Sequence, residues 1–169
     1  MKDMQTKKKQ SGFSLLEIMM ALAIVAVIVV GVIVLYGRVS GSSATTQTVQ
    51  EITQISQSIK SLYASSGDYS GIDNKTVIDA GAVDQKNYSG TTIRTAIPGY
   101  DIEVGFDSAN NSRFTLSLKG KVTKTQCIDL STKFIGVAEL VTAEGNTINN
   151  VSEATTNCAD DATIVLTFA

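Results

Sequence analysis

From Ile18 to Tyr36 the chain runs nineteen residues without a charge, IMMALAIVAVIVVGVIVLY. About 18–20 apolar residues are what a helix needs to cross a hydrocarbon core of roughly 30 Å. Lys7, Lys8 and Lys9 stand in front of the run. The positive-inside bias keeps them in the cytoplasm and sends the C-terminal part outward. An ordinary secretory signal differs in two ways: its apolar region is about 7–15 residues long, and a small-residue cleavage site follows it. Here Gly31, Gly37 and Gly41 form no A-x-A-like site, and the small residue stands before the run, at Gly12. A cut at Gly12 removes the cytoplasmic charges and leaves the hydrophobic helix on the product. The expectation is an inner-membrane protein with an exported domain.

Charge then limits what the exported part does. The chain holds 14 basic and 16 acidic residues, net −2. Residues 1–12 contain four lysines and one aspartate, so the remaining 157 carry 10 basic and 15 acidic, net −5. That product lacks the basic patch of a nucleic-acid binder, and no nucleic-acid partner is expected. With no histidine and two cysteines, zinc sites built from Cys and His and any His-based triad are out of reach. No Gly-rich phosphate loop follows a strand. The reading is no enzyme, no cofactor and no metal. What remains after the span is long enough for one domain with its own core.

Residues 37–48, GRVSGSSATTQT, are small and polar and suit a loop. Yet Val49, Ile52, Ile55, Ile59 and Leu62 recur at helical spacing beyond them. We therefore expect one helix from about Ser14 to Ala64, kinked or melted near Gly37–Gly41 if interrupted at all. About 50 residues at roughly 1.5 Å each make a rod of order 75 Å. Its first half is apolar all round and packs on lipid or sister helices. Its second half has one apolar face for its own domain. The expected divisions are 1–12, 13–36, 37–66 and a globular part over 67–169.

Gly67 suits a left-handed helix cap. Residues 67–90 are rich in Gly, Asp and Asn, with one short helical candidate at Asn74–Ala80. Asp68, Asp73 and Asn74 are oxygen donors, but they lack the ligand spacing of an EF-hand loop and read as solvated turn residues. Strands are expected at Thr91–Ile97, Tyr100–Phe106 and Arg113–Leu118, with turn chemistry at Pro98-Gly99 and over 107–112. Thr123 and Gln126 form a capping box opening a helix whose Cys127, Leu130, Phe134 and Val137 share a face. Ala162–Phe168 is a further strand. The fold class is α+β: a long N-terminal helix on an antiparallel sheet. Cys127 and Cys158, the one pair in an exported domain, read as a disulfide rather than as free thiols.

The residues SGFSLLE, 11–17, resemble the prepilin motif of type IV pilins and type II secretion pseudopilins. The resemblance implies a peptidase cut after Gly12, N-methylation of Phe13, and the family's fifth-residue glutamate at Glu17. Ser11 departs from the Lys or Arg usual before the Gly. A disulfide-bounded C-terminal region, FTLSLKGKVTKTQCIDLSTKF (114–134) and AGAV (80–83) are similar to the type IVb group, including conjugative thin pili and bundle-forming pili. The short leader and Phe13 are more like type IVa. Both subgroups stay open at this point. The family often kinks the membrane half with a proline; here the one proline is Pro98.

A carboxylate in a membrane span costs about 2.5–3.5 kcal/mol at the helix centre and less near an end. Glu17 either sits at the interface or serves assembly. Cutting after Gly12 creates an amine on Phe13, which needs a partner in an apolar filament core, and Glu17 of a neighbouring subunit can supply one. The resemblance implies a homopolymeric surface filament of a Gram-negative bacterium, used in adhesion, aggregation or conjugation. It also implies as partners the membrane before assembly, a prepilin peptidase and methylase, inner-membrane assembly machinery and an outer-membrane secretin. The alternatives are a minor pilin or pseudopilin, and a membrane-tethered binding domain that never polymerises.

Overall fold

The computed structural model describes residues 15–169, and the side chains within them except those of residues 33–41. Helix α1 runs Leu15–Tyr63 and is unbroken across Gly37–Gly41. Contacts divide the chain into two compact units at Val39–Ser40. The described part of the first unit is the apolar stretch of α1.

The second unit begins with the remainder of α1. Ile52, Ile55 and Ile59 are buried, whereas Leu62, expected on the same face, is exposed. Thr45, Thr48 and Ser56 are buried there instead. Small hydroxyl side chains fit where the helix comes close to its domain; the Ser56 hydroxyl is satisfied by donating to the Thr53 carbonyl, 2.9 Å away. Gly67 ends the helix as the sequence implies, with φ +61° and its N–H bonded to the Tyr63 carbonyl at 2.9 Å.

Seven antiparallel strands follow: β1 Tyr88–Ser89, β2 Thr92–Arg94, β3 Tyr100–Asp107, β4 Asn110–Gly120, β5 Leu140–Ala143, β6 Asn146–Thr147 and β7 Ile164–Phe168. Their order across the sheet is β1-β2-β3-β4-β7-β5-β6. β2, β3 and β4 form the expected meander, β1 adds a strand at its outer edge, and the C-terminal strand lands beside β4. Because side chains alternate along a strand, registered partners share a face. One apolar row is Ile93, Ile102, Leu118, Ile164 and Ala143, across five strands. The next is Val104, Leu116, Leu166 and Val141. Beyond it Phe114 stacks on Phe168, their ring centroids 5.3 Å apart, and Tyr69 packs on Phe114 at 4.9 Å. These rows and the α1 isoleucines make one core. Each fully buried Ile, Leu or Phe is worth about 1.5–3 kcal/mol relative to exposure.

Helix α2, Asn74–Asp79, and helix α3, Lys124–Phe134, lie where the sequence places them. The Thr123 capping box forms in full. Val137 does not continue the α3 face: the helix stops at Phe134 and Val137 is exposed, with Gly136 at φ +82° turning the chain away. The expected strand Thr91–Ile97 is shorter, because from Thr95 the chain enters the turn that Pro98-Gly99 builds. Strands β1, β5 and β6, helix α4 (Val151–Asn157) and a 3-10 turn at Gln85–Asn87 carry no strong sequence pattern and were not expected. Gly120, the last residue of β4 with φ +122°, lies so close to the Pro98-Gly99 turn that a Cβ would stand 2.0 Å from the Gly99 oxygen.

Candidate assembly helix and disulfide-bounded region

In the first unit, the described side chains are those of Leu15–Val32, a stretch of 18 residues with mean hydropathy 2.8, none of it buried. Every large hydrophobic side chain in it faces outward, from Leu15 at 79% to Ile18 at 49% exposure. A helix apolar on all sides requires lipid or other helices around it. At 1.5 Å per residue the stretch is about 27 Å long, close to a hydrocarbon core. Its one charged residue is Glu17, exposed and in the first turn. There the positive end of the helix dipole favours a carboxylate. Gly12 and Phe13 lie outside the described residues.

Cys127 and Cys158 form a disulfide, with Cα atoms 5.7 Å apart. It ties the first turns of α3 to the C-cap of α4, and both cysteines are buried. Two further bonds fasten the same corner. The Asp160 carboxylate accepts the Lys124 N–H at 2.7 Å, and the Asp161 N–H donates to the Val122 carbonyl at 2.7 Å. The segment between the cysteines contains the β5–β6 hairpin and α4, whose N-cap Asn150 accepts the Glu153 N–H at 2.9 Å. The Glu153 carboxylate in turn accepts the Asn149 N–H and the Asn150 side-chain amide, both at 2.8 Å, and those two bonds hold it below the usual range.

Two polar residues that sequence reading did not single out for these roles anchor the other end of the sheet. Glu51 reaches from α1 to accept the Ala96 N–H at 3.1 Å and the Asn87 side-chain amide at 3.4 Å. Burial pushes its carboxyl up, partly offset by the Ala96 bond and by Lys86. Asn74 docks its side-chain amide on the edge of β3. A lone Glu among glutamines, or an Asn in a turn-rich segment, gives no local signal of such long-range bonds. Tyr100 is similar: read as a strand residue, it donates its buried hydroxyl to the Ala162 carbonyl at 3.0 Å, and burial, with the charge of Glu144, raises its pKa.

The acids considered for calcium serve local turns. Asp68 accepts the N–H and hydroxyl of Ser70, and Asp73 caps α2 by accepting those of Thr76. Among the described residues no three His, Cys, Asp or Glu side chains converge.

Residues 7–33 match the Prokaryotic N-terminal methylation motif. Residues 42–169 match the family described as PilS N terminal. Two similar proteins are each named major structural subunit of bundle-forming pilus. One, from Escherichia coli O111:H-, is 29% identical over 150 residues, 87% of this chain and 75% of that protein. The other, from Escherichia coli O127:H6, is 28% identical over 135 residues, 78% and 69%. The resemblance of the globular half to the type IVb group thus prevails over the type IVa features of the leader. An outward-facing apolar helix behind a methylation motif, joined to a disulfide-bounded sheet domain, makes this a structural subunit and not an enzyme: the chain is a type IV pilin and belongs to the PilS N-terminal family.

Proposed function

We propose that this pilin is the major, filament-building subunit of a type IVb pilus, cut after Gly12, methylated on Phe13 and assembled through its apolar helix. Glu17 of one subunit neutralises the Phe13 amine of a neighbour and sets the stagger between helices. The observation that carries this reading is the stretch Leu15–Val32, apolar on every side with one carboxylate in its first turn. A plain membrane anchor has no use for that carboxylate, whereas a helix bundle needs a register device. The leader 1–12, assembly helix 13–36, amphipathic half 37–66 and surface domain 67–169 then have separate tasks. Inner-membrane machinery extracts the subunit, and an outer-membrane secretin passes the filament. The names of the two relatives support the major-subunit role and a filament that bundles.

Intact-mass and N-terminal analysis of fibres sheared from cells tests this. The expected dominant species starts at methylated Phe13 and is two protons lighter than the dithiol form. Glu17→Ala is expected to leave the precursor cleaved but unassembled. Normal filaments from that variant overturn the Glu17 role. A processed chain found at trace level points to a minor pilin, and an uncut chain confined to membranes points to a tethered domain.

A further inference from the structure

We propose that the outer end of the sheet, residues 84–96, opens from α1 as a separate flap whose catch is the carboxylate of Glu51. The sheet is uneven in strength. β3 and β4 are registered over eight residue pairs and β4 and β7 over five, whereas β2 meets β3 over two and β1 meets β2 over two. The flap is therefore joined to the rest of the sheet by only two residue pairs, as β6 is at the opposite edge.

Its seat on α1 is also incomplete. Two open hollows lie between the helix and this segment. One of about 380 Å³ is bounded by Gln57, Ser58 and Gly81 among others, and one of about 920 Å³ by Gln47, Gln50 and Arg94 among others. Glu51 stands in the wall of both hollows. From there it bonds both ends of the flap, Asn87 in the 3-10 turn and Ala96 after β2. A segment with hollows on either side of one polar catch opens at lower cost than a packed core strand.

Glycine and proline mark where the motion is absorbed. Gly81 has φ +73° before the flap, and Pro98-Gly99, with Gly99 at φ +77°, follows it. Leaving the helix uncovers one buried side chain of the flap, Ile93, while the Asn74 amide, which donates to the Thr91 carbonyl at 2.8 Å, keeps the flap attached to β3. Opening joins the two hollows into one groove along the Gln47, Gln50, Gln54 and Gln57 face of α1.

Amide hydrogen exchange on the full chain in detergent micelles tests the flap. In the unmodified chain, amides of 84–96 are expected to exchange at least about tenfold faster than those of β4 and β7, as one group. Glu51→Ala is expected to speed that group by about a further fivefold or more without changing β4 and β7, while Glu51→Gln, which keeps an acceptor for the Ala96 N–H, stays within about twofold of the parent. Three results overturn the proposal: 84–96 exchanging at the rate of β4 and β7 in the unmodified chain, Glu51→Ala speeding all strands alike, or Glu51→Gln behaving like Glu51→Ala. The measurement on the unmodified chain decides the matter even if the alanine variant does not fold.

Discussion

The side chain of Asn74 pairs with the backbone of Val104 as a neighbouring strand would. Its Oδ1 accepts the Val104 N–H at 2.6 Å, and its Nδ2 donates to the Ile102 carbonyl at 3.1 Å. The amide thus replaces the peptide group that β2, only three residues long, does not extend far enough to provide. An exposed strand edge is a template for unwanted pairing, so this contact closes an edge as well as stabilising it.

Asn74→Ala removes three bonds at once, including that to the Thr91 carbonyl, and leaves the N–H of buried Val104 without a partner. Leaving a buried polar group unsatisfied costs about 1–3 kcal/mol. The expected result is a loss of that order in thermal unfolding of the detergent-solubilised chain, with Asn74→Asp less affected because it keeps the acceptor. An unchanged midpoint in Asn74→Ala would show that water replaces the amide.

The disulfide closes a loop with a sequence separation of 31. In the chain-entropy model that closure stabilises by about 3–4 kcal/mol. Replacing both cysteines by serine is expected to lower stability by that amount. Reductant added to the folded parent is expected to act slowly, because both sulfurs lie in the core. Rapid reduction of the native chain, followed by thiol labelling, would contradict that burial.

Glu51 gives the pH dependence a sign. Burial raises its pKa, so the folded chain holds this proton more tightly than the unfolded one. The stabilisation is complete below the ordinary glutamate value of about 4.3 and is lost as pH rises through the raised value. Asp68, Asp73 and Glu153 act in the opposite sense: bonds to their carboxylates lower their pKa values, and their contribution is lost as pH falls. Subtracting the Glu51→Gln profile from that of the parent isolates the first effect. The parent is expected to gain relative to the variant on acidification, and a flat difference would remove Glu51 as its source.

Gly120→Ala is expected to be the most damaging single methyl in the sheet. The added carbon meets the Gly99 oxygen at 2.0 Å on a backbone with φ +122°, so the turn between β2 and β3 must shift. Loss of folded protein in expression trials, beside a tolerated Gly31→Ala whose site has nothing within 4 Å, is the comparison to make.

Much of the architecture was legible because it rests on local chemistry. The Thr123–Gln126 box opened α3 as read, Gly67 closed α1, and alternation placed β3, β4 and β7. The region between the cysteines was not legible. Strands β5 and β6 have four and two residues, and α4 has seven, too few for a hydrophobic period to stand out. Val137 and Leu62 fit a helical spacing yet are exposed, because period says which residues align and not where the partner surface ends.

Sequence alone determined the membrane-length helix, its lone Glu17, the methylation motif and the pairing partner available to each cysteine. Each of these depends on the order and type of neighbouring residues. Only the tertiary structure decided that β7 inserts between β4 and β5, that Asn74 closes β3 and that Glu51 reaches Ala96. Those contacts join residues 30 and 45 positions apart. Their energy comes from removing polar groups from water together, which no local window of the chain records.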